Sequence, residues 1–180
     1  MTLSPSLASK FDSAEVVLFD CDGVLLNSNK VKTEAFESTV FRYGREAAAA
    51  LVKHHVENGG VSRYKKLAYF VDEVLPSVVD GVDSTDRDLL INELVLAYSS
   101  VVKNRLIDCE YDSALWKLRE LNPSGRWYVV SGGDELELRH VFSKKGLAHL
   151  FDGGIYGSPR DKRQILRDED LGAIEGKALF

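Results

Sequence analysis

Val16-Val17-Leu18-Phe19-Asp20-Cys21-Asp22-Gly23-Val24-Leu25-Leu26 is the stretch whose reading decides the fold. Val16 to Phe19 are apolar and mostly branched, the pattern of a short strand buried on both faces. Two aspartates, one residue apart, stand where that strand ends, and Gly23 then breaks it before a second apolar run. Carboxylates at the carboxyl end of a buried strand lie where open α/β sheets place their ligands. In an extended chain Cys21 points to the opposite face, so Asp20 and Asp22 are left near one cation or phosphate. One carboxylate can attack phosphorus while its neighbour trades protons with the leaving group.

Downstream the periodicity changes from strand to helix. Val31, Ala35, Phe36, Val40 and Tyr43 recur at close to 3.6 residues and predict a helix that Gly44 ends. A second helix is expected from the Ala47–Ala50 block to Glu57, with Asn58-Gly59-Gly60 as its breaker. Ser62 is a natural N-cap for a third, through Tyr64, Leu67, Ala68, Phe70 and Val71, which Pro76 is expected to stop. Thr85 and Asp88 have capping-box spacing, and Leu89, Leu90, Leu94, Val95, Tyr98 and Val102 form the stripe of a fourth helix. Roughly 75 residues of helical pattern therefore separate the first strand from the next α/β segment, enough for a small bundle of its own.

Strand–helix alternation then resumes. Ala114, Leu115, Leu118 and Leu121 share a helical face, and Asn122-Pro123-Ser124-Gly125 turns the chain. Trp127–Val130 reads as a second strand and residues 134–145 as a helix stopped by Gly146. Phe151–Tyr156 is an extended segment, residues 161–168 a helix, and Lys177–Phe180 the start of a further strand. The pattern predicts an α/β fold, a Rossmann-like parallel sheet with an inserted all-α domain. The expected domains are 1–27 with 107–180 for the sheet, and 28–106 for the helices.

Three strings resemble the motifs of the haloacid dehalogenase superfamily. Asp20-Cys21-Asp22-Gly23-Val24-Leu25 resembles the first, Asp-x-Asp-Gly-[Val/Thr]-[Leu/Val]. Tyr128-Val129-Val130-Ser131-Gly132-Gly133 is similar to the second, an apolar strand ending in Ser or Thr. Gly157-Ser158-Pro159-Arg160-Asp161-Lys162 is similar to the third, which supplies a lysine. A helical insertion between the first and second motifs matches the C1-type cap of subfamily I, which includes phosphoglycolate phosphatase-like and β-phosphoglucomutase-like enzymes. The resemblance implies a Mg²⁺-dependent phosphatase that hydrolyses a small phosphorylated metabolite through an aspartyl-phosphate. A phosphomutase on the same scaffold is the neighbouring alternative.

By that resemblance Asp20 is the nucleophile and supplies one carboxylate oxygen to Mg²⁺, while Asp22 supplies its backbone carbonyl. The Asp22 side chain is then general acid and later base for the hydrolytic water. An acid at that position favours ester chemistry over dehalogenase or phosphonatase chemistry. Ser131 and Gly132 are the expected phosphate binders, since a hydroxyl and unpaired N–H groups at a strand end before a helix make an anion site. Lys162 would offset charge in the transition state, with Lys144 and Lys145 as nearby rivals. Arg63, which looks exposed after the Gly pair of the insertion, is the candidate reader of the leaving group, a second phosphate or a carboxylate. His54-His55 has no partner at zinc spacing and reads as surface or packing.

The fourth motif, an acidic pair of the form Gly-Asp-x-x-x-Asp, does not follow. The sequence reaches Gly176-Lys177-Ala178-Leu179-Phe180, the start of the strand expected to carry it, and Asp168, Glu169 and Asp170 read as a solvated cluster at a helix end. A piece of a longer hydrolase is the expectation, with a short relative of weakened activity, able only to bind a phosphorylated ligand, as the alternative.

Composition sets the remaining bounds. Across 180 residues, 44% are hydrophobic and 28% charged, as in an ordinary globular chain. A net charge of −5 without a dense Lys/Arg block argues against nucleic acid as a partner. The pairs Lys65-Lys66 and Lys144-Lys145 read as solvated faces. No apolar run approaches the ~20 residues of a membrane span. Met1–Lys10 lacks the apolar core of a secretory signal, and the two cysteines show no metal or disulfide spacing. The expected setting is cytoplasmic, with a small phosphate ester as the partner.

Overall fold

The computed structural model describes residues 11–78, 86–171 and 178–179. The chain divides into two compact units, Met1–Asn27 with Glu110–Phe180, and Ser28–Cys109. Among the described residues the strands are β1 (Val16–Phe19), β2 (Arg126–Asp134), β3 (Gly154–Ser158) and β4 (Ala178–Leu179). The helices in chain order are α1 (Asn29–Val40), α2 (Arg45–Glu57), α3 (Arg63–Tyr69), α4 (Arg87–Asp108), α5 (Ala114–Leu121), α6 (Glu135–Lys144) and α7 (Lys162–Asp168).

In the first unit the strands form one parallel sheet in the order β3-β2-β1-β4. The period-2 alternation of side chains gives this sheet two apolar faces. Val16, Leu18, Tyr128 and Val130 pack against Ile165 and Leu166 of α7 and against Leu171. On the opposite face Trp127 meets the rings of Phe11, Phe19 and Phe151, and Phe142 of α6 closes on Phe151. Asn122, 1% exposed, ties the sheet to the segment that enters it. Its amide N–H₂ donates to the carbonyls of Phe11, Asp12 and Ala14, and its Oδ1 accepts the Trp127 indole N–H at 2.9 Å. All of its polar capacity is thereby used, as burial requires.

The second unit is helical. α1 ends through a turn of 3₁₀ helix, Phe41–Tyr43, at Gly44, whose φ of 103° is left-handed territory. Phe36 of α1 packs on Tyr98 of α4 at 4.3 Å and on His55 of α2 at 4.7 Å. Ser62 caps α3 as its sequence predicts, accepting the Lys65 N–H. Pro76 does not end this helix. α3 runs on through a π turn, Phe70–Val74, into a helical Leu75–Val78. The Leu75 N–H bonds back to the Phe70 carbonyl, and this wider turn accommodates a ring that would otherwise collide with the preceding turn. Thr85 lies outside the described residues; α4 starts at Arg87 with no side-chain cap. Among the described residues, no helix is long and apolar enough to cross a membrane.

Candidate active site

Asp20 stands one residue beyond β1, at the carboxyl edge of the sheet. Its carboxylate is held on two sides. Oδ1 accepts the Cys21 N–H at 2.8 Å, and Oδ2 accepts Lys162 Nζ at 2.7 Å. The side chains are 40% and 37% exposed, so the pair is open to water and adds little to stability. A cleft of about 220 Å³ beside it is lined by Leu18, Phe19, Asp20, Val130, Lys162 and Leu166. Cys21 is fully buried, the inert spacer that strand alternation demands.

Asp22 sits on a tight loop. The Cys21 carbonyl accepts the N–H groups of Leu25 and Leu26, and the Gly23 N–H returns to the Leu26 carbonyl at 2.8 Å. Gly23 has φ of 73°, which only glycine adopts without strain. Asp22 is half-buried there, two residues from Asp20.

Lys162 is the first residue of α7, and its backbone is fixed by a capping box. Asp161 accepts the Gln164 N–H at 2.9 Å and Gln164 accepts the Asp161 N–H at 2.8 Å. Arg160 braces the same loop by pairing with Glu169, Glu135 and Asp168. The acidic group at the end of α7 is thus partly enlisted rather than simply solvated. Arg160 beside Glu169 holds that carboxyl below its ordinary range. Lys144, the rival on α6, is exposed, and Lys145 lies over the Tyr111 ring.

Ser131 and Gly132 fall in an irregularity of β2. Val130 pairs with Tyr156 and Asp134 with Ser158, so four residues of β2 advance against two of β3. The surplus bulges out of the ladder at Ser131-Gly132-Gly133, whose backbone groups turn to side-chain partners instead. Ser131 is completely buried and its Oγ accepts the Gly133 N–H at 3.0 Å. The strand therefore extends four residues further than Trp127–Val130, past the point where the sequence predicts its end.

Residues 14–170 match the family model described as haloacid dehalogenase-like hydrolase. The chain belongs to that family. Its structural likenesses include a putative haloacid dehalogenase-like hydrolase from Bacteroides fragilis, with a TM-score of 0.63 at 17% identity, covering 92% of this chain and 76% of that one. A predicted phosphatase from Clostridium acetobutylicum superposes with a TM-score of 0.64 at 17% identity, covering 92% of this chain and 74% of that one. A predicted phosphoglycolate phosphatase from Haemophilus somnus gives 0.65 at 14% identity, with 93% and 76% covered. CbbY from Rhodobacter sphaeroides, solved in complex with phosphate, gives 0.63 at 15% identity, with 92% and 76% covered. At such identities the likeness is one of fold. No curated protein matches by sequence.

Within this family's fold, the structure brings Asp20 and Lys162 into contact and sets Ser131 on the neighbouring strand end. Arg63 belongs to the helical unit, and there it departs from expectation. It is 6% exposed, its NH1 donates to Ser99 Oγ at 2.8 Å, and its guanidinium lies 4.8 Å from the Tyr98 ring centre. Lys66 is also buried, at 2% exposure, although Lys65 beside it faces water. Its Nζ sits 2.8 Å from His55 Nδ1 and 5.7 Å from the Phe36 ring centre. Arg63 and Lys66 are three residues apart and so share a helix face, a signal that the Lys-Lys pairing masks. His54 stacks on Tyr69 at 3.7 Å, a packing role that depresses its pKa by desolvation.

Among the described residues no three His, Cys, Asp or Glu side chains gather as a metal cluster. Mg²⁺ does not need one. It keeps several waters and takes one or two protein oxygens with a substrate phosphate. An Asp20 carboxylate oxygen and the Asp22 carbonyl, on one turn of chain, are oxygen donors of that kind.

Proposed function

We propose that this hydrolase is a Mg²⁺-dependent phosphatase acting on a small phosphorylated metabolite, a sugar phosphate or a phosphoglycolate-like ester, in the cytoplasm. The observation that carries the reading is the 2.7 Å contact between Asp20 and Lys162 at the sheet edge where β2 bulges at Ser131. A carboxylate and an ammonium group in contact at that edge, with a hydroxyl on the neighbouring strand, meet the needs of a phosphoryl group: a nucleophile and donors to absorb its charge.

In this reading an Asp20 carboxylate oxygen attacks phosphorus, and the ester oxygen leaves with a proton from Asp22. That step yields an aspartyl-phosphate and the free alcohol. Water then gives its proton back to Asp22 and attacks phosphorus, which releases inorganic phosphate and restores Asp20. Lys162 stabilises the charge on the transferring oxygens throughout, and Ser131 with the Gly132 backbone holds them. A Mg²⁺ held by the Asp20 carboxylate and the Asp22 carbonyl would supply further charge neutralisation. The helical unit is the candidate cap, and Arg63 the candidate reader of a second phosphate or carboxylate, a role that would require its guanidinium to leave Ser99 and Tyr98.

A panel of phosphate esters incubated with the chain and Mg²⁺ tests this. Release of inorganic phosphate, with an acid-stable phosphorylated protein trapped by rapid quench at neither zero nor full occupancy, is the expected result. An isomeric sugar phosphate as the product instead assigns a mutase. Tight binding of phosphate without any turnover sinks the catalytic reading.

A further inference from the structure

We propose that Ser158 is a positioning residue of the phosphate-binding loop, acting through the Gly132–Gly133 peptide on the Ser131 hydroxyl; the inference rests on the phosphatase reading above. Ser158 is the last residue of β3 and is 1% exposed. Its Oγ donates to the Gly132 carbonyl at 2.6 Å, with the Gly133 carbonyl further away at 3.2 Å. A hydroxyl has one proton to give, and the shorter contact takes it.

The peptide so gripped is the one that orients Ser131. Its carbonyl end is Gly132 O, held by Ser158, and its amide end is the Gly133 N–H, which donates to Ser131 Oγ at 3.0 Å. Among the described residues this N–H is the only hydrogen-bond partner of the Ser131 side chain. With a lone pair so occupied, the Ser131 proton is left to point elsewhere, and a completely buried hydroxyl proton requires an acceptor. A phosphate oxygen at the bulge supplies it. The chain of donors runs Ser158 O–H to Gly132 C=O, Gly133 N–H to Ser131 Oγ, and Ser131 O–H to phosphate. Each link polarises the next in the same direction.

Two residues of β2 have left the ladder there, so the bulge lacks the strand pairing that fixes its neighbours. β3 supplies the grip instead. A side chain at Gly157 would collide with the Gly133 carbonyl, so the two backbones meet directly. The Gly157 N–H, lost to the ladder, goes to Glu135 Oε2 at 3.1 Å. Ser158 is thus the side chain that replaces the missing strand pairing where the loop must be most exact.

The test is a double-mutant cycle on the full chain, with p-nitrophenyl phosphate as substrate and inorganic phosphate as inhibitor, both with Mg²⁺. Ser158→Ala should lower kcat/KM and weaken phosphate inhibition by about tenfold, the scale of one oriented hydrogen bond. In a Ser131→Ala background the same change should cost less than about twofold, because its route to the phosphate is gone. Ser158→Thr, which keeps the hydroxyl, should restore most of the loss. Equal losses in both backgrounds overturn the proposal and leave Ser158 a plain strand staple, as does a fully active Ser158→Ala. Should Ser158→Ala fail to fold, Ser158→Cys, with a weak donor of similar size, takes its place in the cycle and is read the same way. A wild-type chain with neither hydrolysis nor phosphate inhibition overturns the functional reading itself, and this inference with it.

Discussion

In the α/β unit the polar side chains taken out of water are neutral. Asn122, Ser131 and Ser158 are each at most 1% exposed, and each spends itself on backbone groups a strand or a turn away. In the helical unit the deeply buried polar side chains include three cations, Lys32, Arg63 and Lys66, at 8%, 6% and 2% exposure. An amide or hydroxyl bonded to carbonyls costs little to bury and fixes distances closely. A buried ammonium or guanidinium costs several kcal/mol in desolvation, which its partners must offset. One unit thus buries neutral groups that bond to nearby backbone, and the other buries charge that has to be compensated by its surroundings.

The largest effect should separate chemistry from stability within the first unit. Asp20→Asn removes the nucleophile and should cut phosphate release by about 10³-fold or more. The ion pair it breaks is more than a third exposed, so the melting temperature should barely move. A thermal scan beside a phosphate-release assay checks both, and a variant that loses its fold along with its activity would show that the pair is structural. Asn122→Ala should do the reverse. It orphans three carbonyls and the Trp127 indole N–H, and should cost about 3 kcal/mol in urea unfolding. Where the variant stays folded, kcat should hold, since the cleft is lined by Leu18, Phe19, Asp20, Val130, Lys162 and Leu166 and not by Asn122.

This division also explains what the sequence discloses. Val16–Phe19 with Asp20 and Asp22 is legible because a buried strand and its terminal carboxylates are consecutive residues. Ser131 and Lys162 stand out in sequence for the same reason, the one closing the apolar run of β2 and the other following β3 within a few positions. Ser158 escapes because its partner is 26 residues away on another strand and depends on a bulge no periodicity announces. Lys66 escapes because a Lys-Lys pair reads as a solvated face, whereas on a helix adjacent residues point about 100° apart and only Lys65 stays outside. Pro76 misleads because a proline normally stops a helix, and the π turn that absorbs it is a matter of backbone geometry. Local patterns are visible in one dimension, and long-range hydrogen bonds and burial are not.

A middle-sized effect sharpens the contrast between buried neutral and buried charged groups. Lys66→Met keeps the stem that packs on Phe36 and removes the charge. Stability in urea unfolding should fall by about 1 kcal/mol, because the change leaves the His55 carbonyl and Nδ1 without the Nζ contact. Phosphate release should hold, since Lys66 is buried inside the helical unit. A fall in stability of the size expected for Asn122→Ala would erase the distinction between the two units.

The smallest effect concerns an ion pair that neither unit's function uses. In the helical unit Arg87 grips Asp72 with two contacts of 2.6 and 2.7 Å, on side chains 44% and 37% exposed. The Arg87 guanidinium holds the Asp72 carboxyl below its ordinary value. A carboxyl depressed on folding stabilises the native state above its unfolded pKa, about 3.9, and the gain is lost as pH falls through the lower folded value. Asp72→Asn should therefore lower the melting temperature slightly at pH 7, by no more than about 2 °C given the exposure. The gap to wild type should close on acidification below about pH 4 and vanish once both states are protonated. Melting curves from pH 7 to 2.5 read this directly. A gap that persists at the acid end would mean that the Asp72 side chain works by packing rather than by charge, which would make even this exposed pair part of the helical unit's framework.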